Sequence, residues 1–188
     1  MRGSSNPAGA EPAAVPGKRE RLVAAACDLV YRQGVQHTTI ADIAEAADVP
    51  LGNVYYYFKT KDDLVAAVVD THVEQIEAGL RLLEQRHRSP KARLKALVGS
   101  VAEQRDAIAR YGCPYGTLSA ELAKRGDETG NELAARLMRA LLGWAEQQFR
   151  AMGRRDAGHL AVEFVIAYQG SAVVSNALGI PDLMAGQA

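Results

Sequence analysis

Several features are scarce in this chain, and each scarcity narrows what it can be. Among 188 residues there are two cysteines, Cys27 and Cys113, too few for a disulfide scaffold and in keeping with a reducing cytoplasm. Neither sign of charge dominates: 22 Lys/Arg face 22 Asp/Glu, which argues against binding nucleic acid through bulk positive charge. No apolar run approaches the ~18 residues that a membrane span requires. The first residues show no charged region followed by an apolar stretch, so no secretory signal is expected. His37, His72, His87 and His159 lack metal-ligand spacing, and no Gly-rich phosphate loop or nucleophilic Ser elbow is present. With no alternating strand pattern and no internal repeat, the expectation is an all-α, cytoplasmic protein that is not an enzyme and carries no cofactor or metal.

What is present is ordinary globular material, 48% apolar and 23% charged, long enough to bury a substantial core. Residues 1–17 are rich in Ala, Pro, Gly and Ser and read as a disordered arm. From Lys18 a helix carries Leu22, Ala26, Leu29, Val30 and Gln33 on one face, with Gly34 as its C-cap. A long helix opens at Thr60 or Lys61 and runs to about His87, striped by Leu64, Val68, Val69, His72, Ile76, Leu80 and Leu83. Ser89-Pro90 starts a helix expected over Lys91–Arg110. A short helix follows at Thr117–Lys124, then long ones at Glu128–Met152 and Asp156–Leu178.

The most informative stretch is Thr39 to Lys61. Ile40, Ile43, Ala44 and Ala47 mark one short helix, Asp48-Val49-Pro50 a tight turn, and Leu51 to Phe58 a second helix ending in three tyrosines. Thr39 with Asp42 three residues on is a variant of the capping box. Ile43, Ala44, Val49 and Val54 form the inner packing surface, with the small Ala where the helices cross. Such a helix–turn–helix lays its second helix in the DNA major groove. Residues 18–62 are read as this DNA-binding unit and 63–188 as a helical remainder. Within Lys18–Lys61 six Lys/Arg stand against five acids, so affinity must come from a few placed contacts and from dimerisation.

Thr38-Thr39, Ile43-Ala44, Val49, Gly52, Val54-Tyr55, Phe58 and Lys61 resemble the signature of the TetR family of one-component bacterial repressors. The resemblance covers roughly residues 18 to 65. It implies an N-terminal three-helix DNA-binding domain and a C-terminal helical domain for ligand binding and dimerisation. It also implies a palindromic double-stranded DNA operator and release by a small-molecule effector. Carried over, Thr39 and Lys61 touch phosphates, as free amides and dipoles at helix N-termini favour; Thr39 alternatively serves only as a cap. Gly52 allows backbone approach to the duplex, and Lys59 adds charge beside Lys61. Tyr55 and Tyr57 face DNA, whereas Tyr56 lies close to the backbone or the next helix, and Phe58 anchors the core. The chain departs from the family at Ala41 and Leu51, where basic residues are common, so a bidentate Arg or Lys on guanine is missing. Asn53 remains to read adenine, and Leu51 to touch a thymine methyl.

The resemblance further implies a four-helix interface between two copies. Phe164, Tyr168, Ser171, Val174 and Leu178 form one apolar stripe of the last helix, with Val162, Val165, Ala172 and Val173 on another, and the homodimer interface is expected on the former. For the effector, Tyr111, Cys113, Tyr115, Glu121, Trp144, Phe149, Tyr168 and Gln169 are the candidate pocket residues, each equally able to be plain core. Their mixture suits a partly apolar molecule with one or two polar groups. Two alternatives stay open on the same fold: a helical interaction module without DNA binding, and a thiol-based redox sensor using Cys113.

Overall fold

The computed structural model describes residues 16–187. Within them the chain forms nine α-helices followed by one 3₁₀ segment, and no strand. The helices are α1 Lys18–His37, α2 Ile40–Ala46, α3 Leu51–Tyr57, α4 Lys61–Arg86, α5 Pro90–Ala102, α6 Arg105–Tyr111, α7 Pro114–Ala123, α8 Glu128–Ala151 and α9 Ala157–Leu178; the 3₁₀ segment spans Pro181–Gln187. The arm expected at 1–17 lies, but for Pro16 and Gly17, outside the described residues.

Local chemistry explains where several of the helices begin. Thr39 and Thr60 accept from the amides of Asp42 and Asp63, whose carboxylates reach back to the Thr39 and Thr60 amides, so α2 and α4 both open on reciprocal caps. Ser89 and Asp127 cap α5 and α8 in the simpler way, each accepting one amide. Pro90 and Pro114 occupy first turns, where a missing N–H costs nothing.

Three boundaries differ from the expectation. Gly34 is not a terminus but a kink: at φ +83° it breaks the helix, which resumes to His37. A side chain there would meet Glu121 Oε1 at 2.6 Å, and the freed Val35 amide donates to Glu121 Oε2 at 2.7 Å. The helix expected over Lys91–Arg110 is two, α5 and α6, parted at Glu103-Gln104, where Gln104 leaves helical geometry. Helix α7 begins three residues before Thr117, because Cys113 accepts the Gly116 amide and caps it.

One contiguous core runs from the head (α1–α3) through α4 into α7 and α8, built on fully buried Leu22, Ile43, Val54, Leu64, Val68, Leu122 and Leu137. On α1, Val23 is buried while Gln33 is exposed and donates to the His37 carbonyl. The α4 stripe is buried from Leu64 to Leu80, with Leu83 partly covered. Helix α9 is long and apolar enough on average to cross a bilayer, yet here it packs along α8 and α6. It buries Ala161, Val165, Ala172 and Ser175 while much of its remaining apolar surface is open.

Candidate nucleic-acid interface and effector cavity

Helices α2 and α3 meet at the predicted turn. Asp48 adopts φ +50°, a left-handed conformation that Asp tolerates better than most residues, and the Val49 amide returns to the Ala44 carbonyl at 2.9 Å. Ile43, Ala44, Val49 and Val54 are all buried. Phe58 lies 3% exposed beneath α3, with the Arg19 guanidinium 5.4 Å from its ring centre.

With Val54 and Phe58 fixed inward four residues apart, the outer face of α3 follows from 100° per residue. Tyr55 and Tyr57 flank the buried edge at 46% and 36% exposure, and Tyr56 stands opposite it at 77%. Of the two places expected for Tyr56, close to the backbone or to the next helix, the second is excluded within this subunit: it is the most exposed of the three, its ring meeting Tyr57 edge-on at 5.0 Å. Leu51 and Gly52 are exposed and Asn53 partly so. Lys59 Nζ donates to the Tyr55 carbonyl at 2.8 Å, satisfying the C-terminal end of α3. Lys61 stands near Asp42: the Asp42 carboxyl is held below its usual range by hydrogen bonds from Thr39 foremost, with the Lys61 charge contributing. Thr39 is exposed and already engaged as a cap.

The second site is a cavity of about 160 Å³ enclosed by α5, α7, α8, α9 and the 3₁₀ segment. Leu97, Val101, Leu141, Phe164, Tyr115 and Tyr168 form much of its wall and Met184 closes it. Of the eight predicted pocket residues only Tyr115 and Tyr168 line it. Trp144 is buried elsewhere and donates through Nε1 to Glu84 at 2.9 Å. Phe149 meets Phe164 edge-on, ring centres 6.2 Å apart, in a neighbouring surface groove. Tyr111 and Glu121 belong to a polar cleft beside α1. Cys113 and Gln169 sit behind the cavity, the Cys113 sulfur 2.7 Å from the Tyr168 hydroxyl. Gln169 presses on Gly116, and its Nε2 is buried without a partner among the described residues. Missed in the sequence were Leu97, Val101 and Leu141, which signal only generic helix interior.

Side-chain contacts link the cavity wall to the helix–turn–helix head. Tyr115 meets His72 of α4 edge-on, ring centres 5.4 Å apart. At the far end of α7, Glu121 holds the α1 kink, and Arg125 makes a bidentate pair with Asp62 in the first turn of α4, both contacts 2.9 Å. Burial lowers the pKa of His72, against a smaller opposing effect of Gln75, and raises those of Tyr115 and Tyr168, each shift favouring the neutral form.

On α9 the predicted stripe divides. Phe164 and Tyr168 turn inward to the cavity, which corrects their assignment to an outer face, while Val174 and Leu178 are exposed at 49% and 62%. Ser171 is partly covered and returns its hydroxyl to the Ala167 carbonyl. The most exposed apolar side chains of α9 are Ile166 at 63% and Val173 at 66%. The physical reason is that a helix apolar all round gives no periodic cue to which side meets its own subunit.

Residues 22–68 match the family described as bacterial regulatory proteins, tetR family. Over this head, a quarter of the chain, the sequence is similar to TetR-family proteins. An uncharacterized HTH-type transcriptional regulator from the lacX 3' region of Lactococcus lactis is 33% identical over 107 residues, 56% of this chain and 55% of that protein. The regulator TtgR of Pseudomonas putida is 43% identical over 53 residues, 28% of this chain and 25% of its own. The matched stretches thus span a quarter to about half the length of these relatives. A TetR transcriptional regulator structure from Legionella pneumophila superposes with TM-score 0.81 at 19% identity, covering 93% of this chain and 95% of that one, which shows a shared fold.

Proposed function

We propose that this chain is a TetR-family repressor that binds a palindromic operator as a homodimer and is released by a small molecule. The observation that carries it is the pairing of an outward-facing α3, rimmed by Leu51, Asn53, Tyr55, Tyr56 and Tyr57, with a lever, α4, whose other contacts reach the cavity wall through His72 and Tyr115. Two copies related by a two-fold axis read half-sites about one helical turn, ~34–36 Å, apart. Phosphate contacts from Lys61 set register, while Asn53 reads a base.

The test is a gel shift with the chain's own upstream DNA at two salt concentrations. Lys61→Ala is expected to weaken binding to all sequences about equally and to lower the salt slope by ~1, as for one lost phosphate contact. Asn53→Ala is expected to cost ~1–3 kcal/mol at one base pair per half-site and to change preference there. Identical behaviour of both variants across a panel of mutated operators would refute these roles.

A ligand changes DNA affinity only if it binds the two states unequally. Displacement of Tyr115 pushes on α4 at His72, and motion of α7 pulls at its foot through Arg125. The Arg125–Asp62 pair is part-exposed, so Arg125→Ala should alter stability by no more than ~1 kcal/mol. Its expected result is operator binding near the wild-type level with a weakened response to effector. Full retention of response in a dose–release titration would exclude this contact from the switch.

A further inference from the structure

We infer that the effector is a neutral single-ring molecule bearing one hydrogen-bonding substituent, of the phenol class, held in the cavity between α5, α7, α8 and α9 with its substituent toward Tyr168. The inference rests on the ligand-responsive function and adds the chemistry of the ligand. Size is the first constraint. A cavity of about 160 Å³ is close to the roughly 150 Å³ at which an apolar protein cavity takes up a benzene-sized guest. Two fused rings exceed it without repacking.

Shape and charge are the second and third. Three aromatic rings, Tyr115, Phe164 and Tyr168, share the wall with aliphatic Leu97, Val101 and Leu141, a surface suited to ring edges and faces. No Asp, Glu, Lys, Arg or His lines the cavity, so an ionised carboxylate or ammonium would enter without a counter-charge, which is strongly unfavourable. Polar capacity is limited and specific. The Tyr168 hydroxyl is shared with the Cys113 sulfur at 2.7 Å, and sulfur is a weak partner that a better acceptor or donor displaces. The Tyr115 hydroxyl makes no hydrogen bond among the described residues, and burial keeps it in its protonated, donating form. Tyr115 and Tyr168 are the hydroxyl-bearing residues of an otherwise apolar wall, which matches one polar substituent on one ring.

A rival ligand is an anionic amphiphile. A surface groove shares Val98 and Phe164 with the cavity and carries Lys91 and Lys95, where an acidic head would rest. Both lysines are exposed, and the chamber is too short for a long tail, which favours the ring.

The experiment titrates the full chain, free of DNA, with phenol, toluene, benzoate and decanoate, followed by calorimetry and thermal shift. Phenol is expected to bind and raise the melting temperature, and toluene to bind roughly five- to tenfold more weakly for want of one hydrogen bond. Benzoate is expected not to bind at pH 7. Tyr168→Phe keeps the ring and should erase the preference for phenol over toluene while leaving toluene affinity unchanged. Val101→Phe, at a partly buried position of the wall, should abolish uptake of both, its folding checked by circular dichroism. Tighter binding of benzoate than phenol, or uptake of decanoate alone with loss in Lys91→Ala and Lys95→Ala, overturns the inference. So does phenol binding that Tyr168→Phe and Val101→Phe leave intact. Phenol binding that fails to release operator DNA sustains the ligand assignment and counts against the ligand-responsive function alone.

Discussion

Glutamate at both Ile166 and Val173 is expected to turn the dimer into monomers and to lower operator affinity about a hundred- to ten-thousand-fold, the range over which linked half-site binding exceeds single engagement. Both side chains are about two-thirds exposed on α9 in the single subunit. Val162, Val174 and Leu178 of the same helix, with Ile180 and Leu183 after it, are also exposed, and clustered exposed apolar side chains of this kind mark an interaction surface. In a dimer each glutamate becomes an uncompensated buried charge, costing several kcal/mol; in the monomer each meets water, so the subunit itself should fold normally. Sedimentation gives the mass, and a gel shift with full and half operators gives the loss. Leu82→Glu, at a 47% exposed side chain of α4, a helix that does not pack along α9, is the control and should change neither. A double variant that still sediments as a dimer, or a monomer that holds the full operator at wild-type strength, would place the interface elsewhere.

Phe58→Ala is expected to destabilise the chain by ~3–5 kcal/mol, as truncation of a buried aromatic does, and to abolish operator binding with it. Phe58 is 3% exposed, closes α3 through its amide to the Val54 carbonyl at 2.9 Å, and lies under Arg19. Its loss opens a void in the smallest part of the molecule, where α2 and α3 have only seven residues each and too little of their own propensity to stay helical. Tyr56→Ala, two residues away, removes a ring that is 77% exposed and should shift stability by no more than ~0.5 kcal/mol, while still reducing DNA affinity. Urea melts and gel shifts on the two variants separate the roles. Equal melting curves, or full DNA affinity in Phe58→Ala, would mean that the ring does not hold the reading helix.

The head was legible in the chain because its information is local. Thr39 with Asp42, the turn at Asp48-Val49-Pro50, and the inward spacing of Ile43, Ala44, Val49 and Val54 all act within a few residues, and helix geometry carries them to the observed caps and packing. The same geometry, followed from Val54 and Phe58, puts Tyr56 outermost, where the resemblance alone left it between the backbone and the next helix. The all-α class and the stripe of α4 were likewise readable, since a 3.6-residue period needs only the order of apolar residues.

The cavity and the outer face of α9 were not, because both are decided by what lies across from a side chain. Trp144, Phe149 and Glu121 are chemically as plausible for a pocket as Tyr115 and Tyr168. Only the packing of α7, α8 and α9 sends Trp144 to Glu84, Glu121 to the Val35 amide and Tyr168 to the cavity. Ile166 and Val165 are adjacent and equally apolar, yet one is 63% exposed and the other 7%. Composition sets how much apolar surface a helix carries, and the neighbouring helices choose which side of it is left for a partner.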